Sequence, residues 1–193
     1  VFGYYDHNHL TALERVTDHL ASAPANVPRQ RLWTFRAKEV VLATGSIERA
    51  MVFRDNDRPG TMLCGAANTY LNRYGVKVGK RTVVYTGNDS AYQSAISLAE
   101  AGNEVSILDT RAETPGPLPQ KALEKGIEVL HEQAIVATHG RLRIESIEAM
   151  SLSDDGDSVS GAAQRIECDS LLMSGGWSPT VHLFSQSQGK LRY

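Results

Sequence analysis

Residues 81–109, RTVVYTGNDSAYQSAISLAEAGNEVSILD, decide the fold. Thr82 to Tyr85 is a short run rich in β-branched and aromatic residues, and it ends in the turn Thr86-Gly-Asn-Asp89. From Ser90 or Ala91 to Ala101 the apolar residues recur at helical spacing, and Gly102-Asn103 supplies the left-handed residue that ends a helix. Glu104 to Leu108 is a second apolar run, leading into Asp109. A strand, a helix and a strand of this length make the two strands parallel, joined by a right-handed crossover. Such a unit is a mononucleotide-binding half of a doubly wound sheet.

The turn stands where a Rossmann domain carries G-x-G-x-x-G/A. In that register Thr86 and Asn88 take the first two glycine positions and Ala91 the third. Glycine at the first position makes the tight turn, and at the second it lets pyrophosphate reach the backbone, so this fingerprint is degenerate. Gly87 is placed to take over one backbone role, Asn88 tolerates the left-handed region better than most residues, and the helix start offers amide donors whatever the side chains. Gly87, Asn88, Asp89 and Ser90 are therefore candidate pyrophosphate contacts. Asp109, 22 residues after Gly87, has the spacing of an acid that hydrogen-bonds a ribose 2′-hydroxyl, which favours NAD over NADP. Arg111 nearby is the residue type that reads a 2′-phosphate. Two structural readings stand beside these: a nucleotide fold that has lost its ligand, and an ordinary strand-end Asp.

Toward the C-terminus, Thr114-Pro-Gly-Pro-Leu-Pro119 reads as an irregular loop, followed by a short helix Gln120 to Lys125 and a third parallel strand Ile127 to Leu130. Ile135 to Thr138, Leu142 to Met150 and Gln164 to Cys168 form an expected antiparallel meander with a polar tip at Ser153 to Ser158. Asp169 to Met173 is one more buried strand, running into Ser174-Gly-Gly-Trp-Ser-Pro179, where Gly175 and Gly176 allow backbone to approach a ligand. Toward the N-terminus, Met62 to Tyr74 has helical spacing and stops at Gly75. Lys38 to Ala43 reads as a buried strand ending in Thr44-Gly45, a second small-residue turn of the kind that passes close to a nucleotide. Arg31 to Arg36 alternates as a strand, Ala21 to Gln30 is a loop, and Leu10 to Leu20 fits either a strand or a short helix. Val1 to Tyr5 is strand-like.

Composition narrows the classes. The 193 residues include 20 Lys and Arg against 22 Asp and Glu, a net charge of −2, which excludes nucleic-acid binding driven by bulk positive charge. Hydrophobic residues make up 41% and charged residues 22%, and no apolar run approaches the roughly 20 residues of a membrane span. A soluble, folded protein is expected. The two cysteines, Cys64 and Cys168, form no CxxC pair, which fits a reducing cytosol rather than a disulfide framework or a zinc site. His7 and His9 lack a third ligand nearby and read as a solvated loop. Cys64 on an apolar helix reads as a buried thiol. No catalytic triad or carboxylate pair is visible, so the catalytic residues are unknown. The start at Val1 reads as a piece cut from a longer chain.

Val40 to Arg49 (VVLATGSIER), Asn56 to Gly60 (NDRPG), Tyr70 to Gly75 (YLNRYG), Thr86 to Tyr92 (TGNDSAY), Cys168 to Pro179 and His182 to Gly189 together resemble the alpha subunit of heterotetrameric sarcosine oxidase, and the resemblance runs over essentially the whole chain. It implies an α/β, Rossmann-like FAD/NAD(P)-binding fold: a partial FAD-type domain at 1–75, an inserted NAD-type domain at 76–168, and a return to the FAD-type domain at 169–193. Thr44, Gly45, Gly87, Asn88, Asp89, Ser90, Asp109, Gly175 and Gly176 are then the candidate cofactor-binding residues. The intact enzyme of that family oxidatively demethylates sarcosine to glycine with O2 and passes the one-carbon unit to tetrahydrofolate. NAD, FAD and FMN are its implied cofactors, with amine oxidation performed mainly on a partner subunit. The implied partners are the other subunits and a small amine substrate, with neither nucleic acid nor membrane, in the cytoplasm. An opine oxidase, an amino-acid dehydrogenase or a hydrogen cyanide synthase subunit shares most of these strings. A thioredoxin-reductase-type enzyme shares the nested domains but needs the CxxC that is missing here. A noncatalytic scaffold that holds a nucleotide or a partner is the remaining class.

Overall fold

In the structure, a computed structural model that describes residues 1–192, Val83 and Tyr85 face one side of a parallel sheet and Val84 the other. Tyr193, the last residue of the 169–193 segment, lies outside the described residues. Two units form: residues 1–44 together with those from Val181 onward, and Gly45–Thr180.

The first unit opens with β1 (Gly3–Tyr5), a 3-10 turn at Asp6–Asn8, β2 (His9–Arg15) and β3 (Gln30–Arg36), paired antiparallel in the order β1-β2-β3. Leu10 to Leu20, open between strand and helix, thus begins as a strand, because β1 and β3 both offer it hydrogen-bonding edges. Lys38 to Ala43 is not the buried strand expected. It lies outside any strand, with Val41 91% exposed. A central parallel strand exists only where neighbours pair with it on both sides, and among the described residues none pairs with this segment.

The second unit contains β4 (Ser46–Glu48), β5 (Thr61–Leu63), α1 (Cys64–Tyr74), β6 (Arg81–Thr86), α2 (Ser90–Glu100), β7 (Glu104–Asp109), α3 (Pro117–Glu124), β8 (Glu128–Leu130), β9 (Gln133–His139), β10 (Ser146–Leu152), β11 (Val159–Glu167), β12 (Ser170–Ser174) and β13 (Trp177–Pro179). The chain then re-enters the first unit as α4 (His182–Gln186). Five parallel strands run in the order β5-β12-β6-β7-β8, and β9, β10 and β11 form the expected antiparallel meander. Helix residues Ala67, Tyr92, Ile96, Leu98 and Ala122 pack with Val84, Ile107 and Leu172 in one core. Meander residues Ile135, Ile147 and Ala149 pack with Val83, Leu108 and Leu171 in another. Strands covered on both faces need largely apolar runs, which is how β6 and β12 read, and β7 apart from Ser106. Gly75, at φ 65, ends α1: its N–H donates to the Leu71 carbonyl and that of Val76 to Tyr70.

Several boundaries differ from the sequence expectation: among them, β11 starts at Val159 rather than Gln164, and Met62 belongs to β5, so that α1 starts at Cys64. Helix α3 begins at Pro117 rather than Gln120, since proline is well suited to a first turn whose N–H has no partner. The second meander strand starts at Ser146, leaving Leu142 81% exposed in the preceding loop. The limits at 76 and 168 cut across the parallel sheet. β5 lies before 76 and β12 after 168, yet Ser170–Ser174 pairs residue by residue with Thr82–Thr86, so the unit runs from Gly45 to Thr180.

Candidate functional site

Register places the carboxyl ends of three strands together, Ser174 of β12 beside Thr86 of β6 and Thr86 beside Asp109 of β7. In open α/β sheets this edge is where ligands bind. Thr86, fully buried, accepts at Oγ1 from the Asn88 N–H at 3.0 Å and lies 3.1 Å from the Ser174 carbonyl. The Asn88 carboxamide then spans the turn. Its Nδ2 donates to the Ser174 carbonyl at 2.9 Å and to Ser174 Oγ at 3.1 Å, while its Oδ1 accepts from the Ser90 N–H at 3.1 Å and from Ser90 Oγ at 2.5 Å. Trp177 Nε1 donates to Ser90 Oγ at 2.8 Å. The amide that opens α2 therefore has a partner within the protein. A Cβ on Gly87 would sit 2.8 Å from Thr110 Oγ1, which would have to turn aside.

Asp109 is fully buried. Its Oδ1 accepts from the Arg111 backbone N–H at 2.9 Å and from Arg111 Nε at 3.0 Å; its Oδ2 accepts from Arg111 Nη2 at 2.9 Å and from the Tyr92 hydroxyl at 2.9 Å. Arg111 Nη1 reaches Asp89 Oδ1 at 2.8 Å. The Asp109 hydrogen bonds hold the Arg111 guanidinium pKa above its ordinary value. Burial pushes the Tyr92 phenol up to about 12.

Gly175 and Gly176 serve the β4–β13 ribbon. A Cβ on Gly175 would come within 3.2 Å of the Met51 side chain and 3.3 Å of the Arg49 carbonyl, and Gly176 takes φ 95. Arg49 donates through Nη2 to the Gly175 carbonyl at 3.2 Å. The same ribbon carries Glu48, absent from the sequence reading, whose Oε2 accepts from the Gly65 N–H at 2.8 Å in the first turn of α1. A carboxylate favours that end of the helix dipole. No spacing in the sequence marks it, because Glu48 and Gly65 meet only through the β4–β13 pairing. Gly45 takes φ 67 with open space where a Cβ would stand; it and Thr44 fall in different units. Cys64 and Cys168 are both buried free thiols whose pKa values are raised by burial, Cys168 to about 12, so neither is a ready thiolate. Among the described residues no group of three or more His, Cys, Asp or Glu is placed to hold a metal, and no helix is long and apolar enough to cross a membrane.

A parallel sheet with helices on one face, a meander on the other and the turn after β6 defines the class, a Rossmann-like FAD/NAD(P)-binding fold. Solved structures agree: thioredoxin reductase from T. acidophilum matches with TM-score 0.66 at 20% identity, over 84% of this chain and 53% of that one. L-proline dehydrogenase from P. horikoshii matches with TM-score 0.52 at 24% identity, over 84% and 26%. In sequence, the chain is similar from end to end to sarcosine oxidase subunit alpha. It is 44% identical to that of Corynebacterium sp. (strain P-1) over 193 residues, 99% of this chain and 20% of the relative. It is 37% identical to that of Rhizobium meliloti (strain 1021) over 190 residues, 98% and 18%. The chain spans about a fifth of the length of the curated relatives it matches. No protein-family model matches it.

Proposed function

We propose that this chain forms the dinucleotide-fold part of a sarcosine-oxidase-type alpha subunit, within an enzyme that demethylates sarcosine to glycine with O2 and passes the one-carbon unit to tetrahydrofolate. The observation that carries this reading is 37–44% identity to such subunits over 98–100% of the chain. In it, the Gly45–Thr180 unit is the inserted NAD-type domain and the remainder belongs to the FAD-type domain. The other subunits are its partners, the amine is oxidised mainly on one of them, and NAD, FAD and FMN are the enzyme's cofactors. With both thiols buried and Asp109 salt-bridged, the contribution of this chain in that reading is architecture and binding. The test is O2 uptake by the full-length subunit co-produced with its partners. Sarcosine turnover at least about tenfold faster than that of opines or other secondary amines is expected. Preferential turnover of an opine, or release of cyanide from glycine, replaces this reading with the related oxidase or synthase.

A further inference from the structure

We infer that the inserted unit binds no dinucleotide at its Gly87–Ser90 turn, because Asn88 and Arg111 fill from within the chain the places that pyrophosphate and ribose would take. The inference deepens the proposed function by assigning any nucleotide contacts of this chain to residues outside that turn, but it rests on geometry alone.

Pyrophosphate is held at a helix start by free backbone N–H groups that the second glycine of the fingerprint leaves uncovered. Here that position carries Asn88, and its Oδ1 already takes the Ser90 N–H. The carboxamide cannot swing aside without loss. Its Nδ2 holds both the carbonyl and the hydroxyl of Ser174, a fully buried residue; its departure would leave the carbonyl with Thr86 Oγ1 alone and take from the buried Oγ the donor it has in Asn88. From the β4–β13 ribbon, the Trp177 indole is tied to Ser90 Oγ and stands over the same helix start.

Ribose recognition fails for a separate reason. A carboxylate offers about four acceptor sites, and Asp109 has four protein donors on its two oxygens. A 2′-hydroxyl would need one of these released. Freeing Arg111 for the purpose would strand a fully buried carboxylate and also break the contact with Asp89. Gly87, the one glycine left in the turn, has its open side taken by Thr110. NAD therefore does not fit these residues.

The test is an amide-resolved NMR titration of the 15N-labelled chain with NAD and with NADP at millimolar concentrations. The amides of Gly87, Asn88, Ser90, Thr110 and Arg111 are expected to stay in place throughout. Saturable shifts confined to residues such as Thr44 and Gly45 support the inference together with a dinucleotide role for the chain. No shift anywhere supports the inference and counts against that role. Saturable shifts at Gly87 to Ser90 and at Arg111 overturn the inference and leave the proposed function standing.

Discussion

Asp109 receives four hydrogen bonds while fully buried, and Arg111 supplies three of them. Removing one partner of a buried pair costs far more than the pair contributes, because the remaining charge keeps its desolvation penalty. Arg111→Ala should therefore lower unfolding stability by about 3 kcal/mol. Arg111→Lys should recover only part of this, since an ammonium cannot reproduce the two-toothed guanidinium contact. Urea midpoints at neutral pH measure both, and an Arg111→Ala midpoint within error of the parent would contradict the buried pair. Tyr92 donates to the same carboxylate, and its native pKa stands at about 12 against an ordinary 10.0. The folded state keeps the phenol proton that the unfolded state gives up first. The associated stability is thus complete below pH 10 and is lost as pH rises toward 12, to the extent of about 2 kcal/mol. Tyr92→Phe should be less stable at neutral pH by about 1 kcal/mol for the missing hydrogen bond. The gap should close above pH 10 and reverse in sign by pH 12, where the phenylalanine variant becomes the more stable, read from urea titrations at stepped pH.

Strand β12 joins the two cores, since Leu172 faces the helices and Leu171 the meander, and it lies between β5 and β6 in the sheet. Leu171→Ala and Leu172→Ala should each cost about 3 kcal/mol, as expected for fully buried leucines with little room to collapse. Val41→Ala, in the segment that sequence patterning marks as an equally buried strand, should change stability by less than about 0.5 kcal/mol. Thermal or urea melts of the three variants separate the positions directly, and a costly Val41→Ala would show that this segment is covered in solution. Two glycines set element ends with different stringency. At Gly75 the left-handed φ of 65 is the whole demand, because an added Cβ meets nothing within 4 Å; Gly75→Ala should cost about 1 kcal/mol. At Gly140 an added Cβ would run into the Arg143 backbone carbonyl, so Gly140→Ala should displace the β9–β10 connection and cost more than Gly75→Ala in the same melts.

Every fully buried apolar side chain of both cores lies between Cys64 and Met173, whereas residues 1–44 bury only Thr11 and Thr17 to a comparable degree. Leu32, Trp33, Phe35 and Val41 of that first unit are exposed. Opening free energy follows buried contacts, so hydrogen exchange should be slowest in β6, β7 and β12 and fastest by several orders of magnitude in β1, β2 and β3. Residues 45–180 produced alone should keep a single cooperative melt. Equal protection of β2 and β6 in the 193-residue chain would contradict this division.

How much of this was legible follows from the range of each interaction. The strand–turn–helix–strand at 81–109, the left-handed stop at Gly75 and the meander are local patterns, set by side-chain period and by glycine's conformational freedom within a few residues. They fixed the fold class and the positions of Thr86, Asn88 and Asp109 at one sheet edge. The state of those residues was only partly legible: spacing placed Asp109 where a ribose acid stands with Arg111 two residues on, but Tyr92 reaches Asp109 and Asn88 reaches Ser174 only after the sheet and α2 have assembled. Lys38 to Ala43 shows the same limit, since an apolar run specifies a strand but not its neighbours. Likewise, β12 is bound to β6 by hydrogen bonds between segments about ninety residues apart, a pairing no local pattern encodes. Local pattern along the chain set most of the strands and helices between Thr82 and Met173 and the nucleotide-type sheet they make. Tertiary structure alone decided that the sheet edge is filled by the protein's own carboxamide and guanidinium, because hydrogen-bond partners are chosen by three-dimensional proximity rather than by order along the chain.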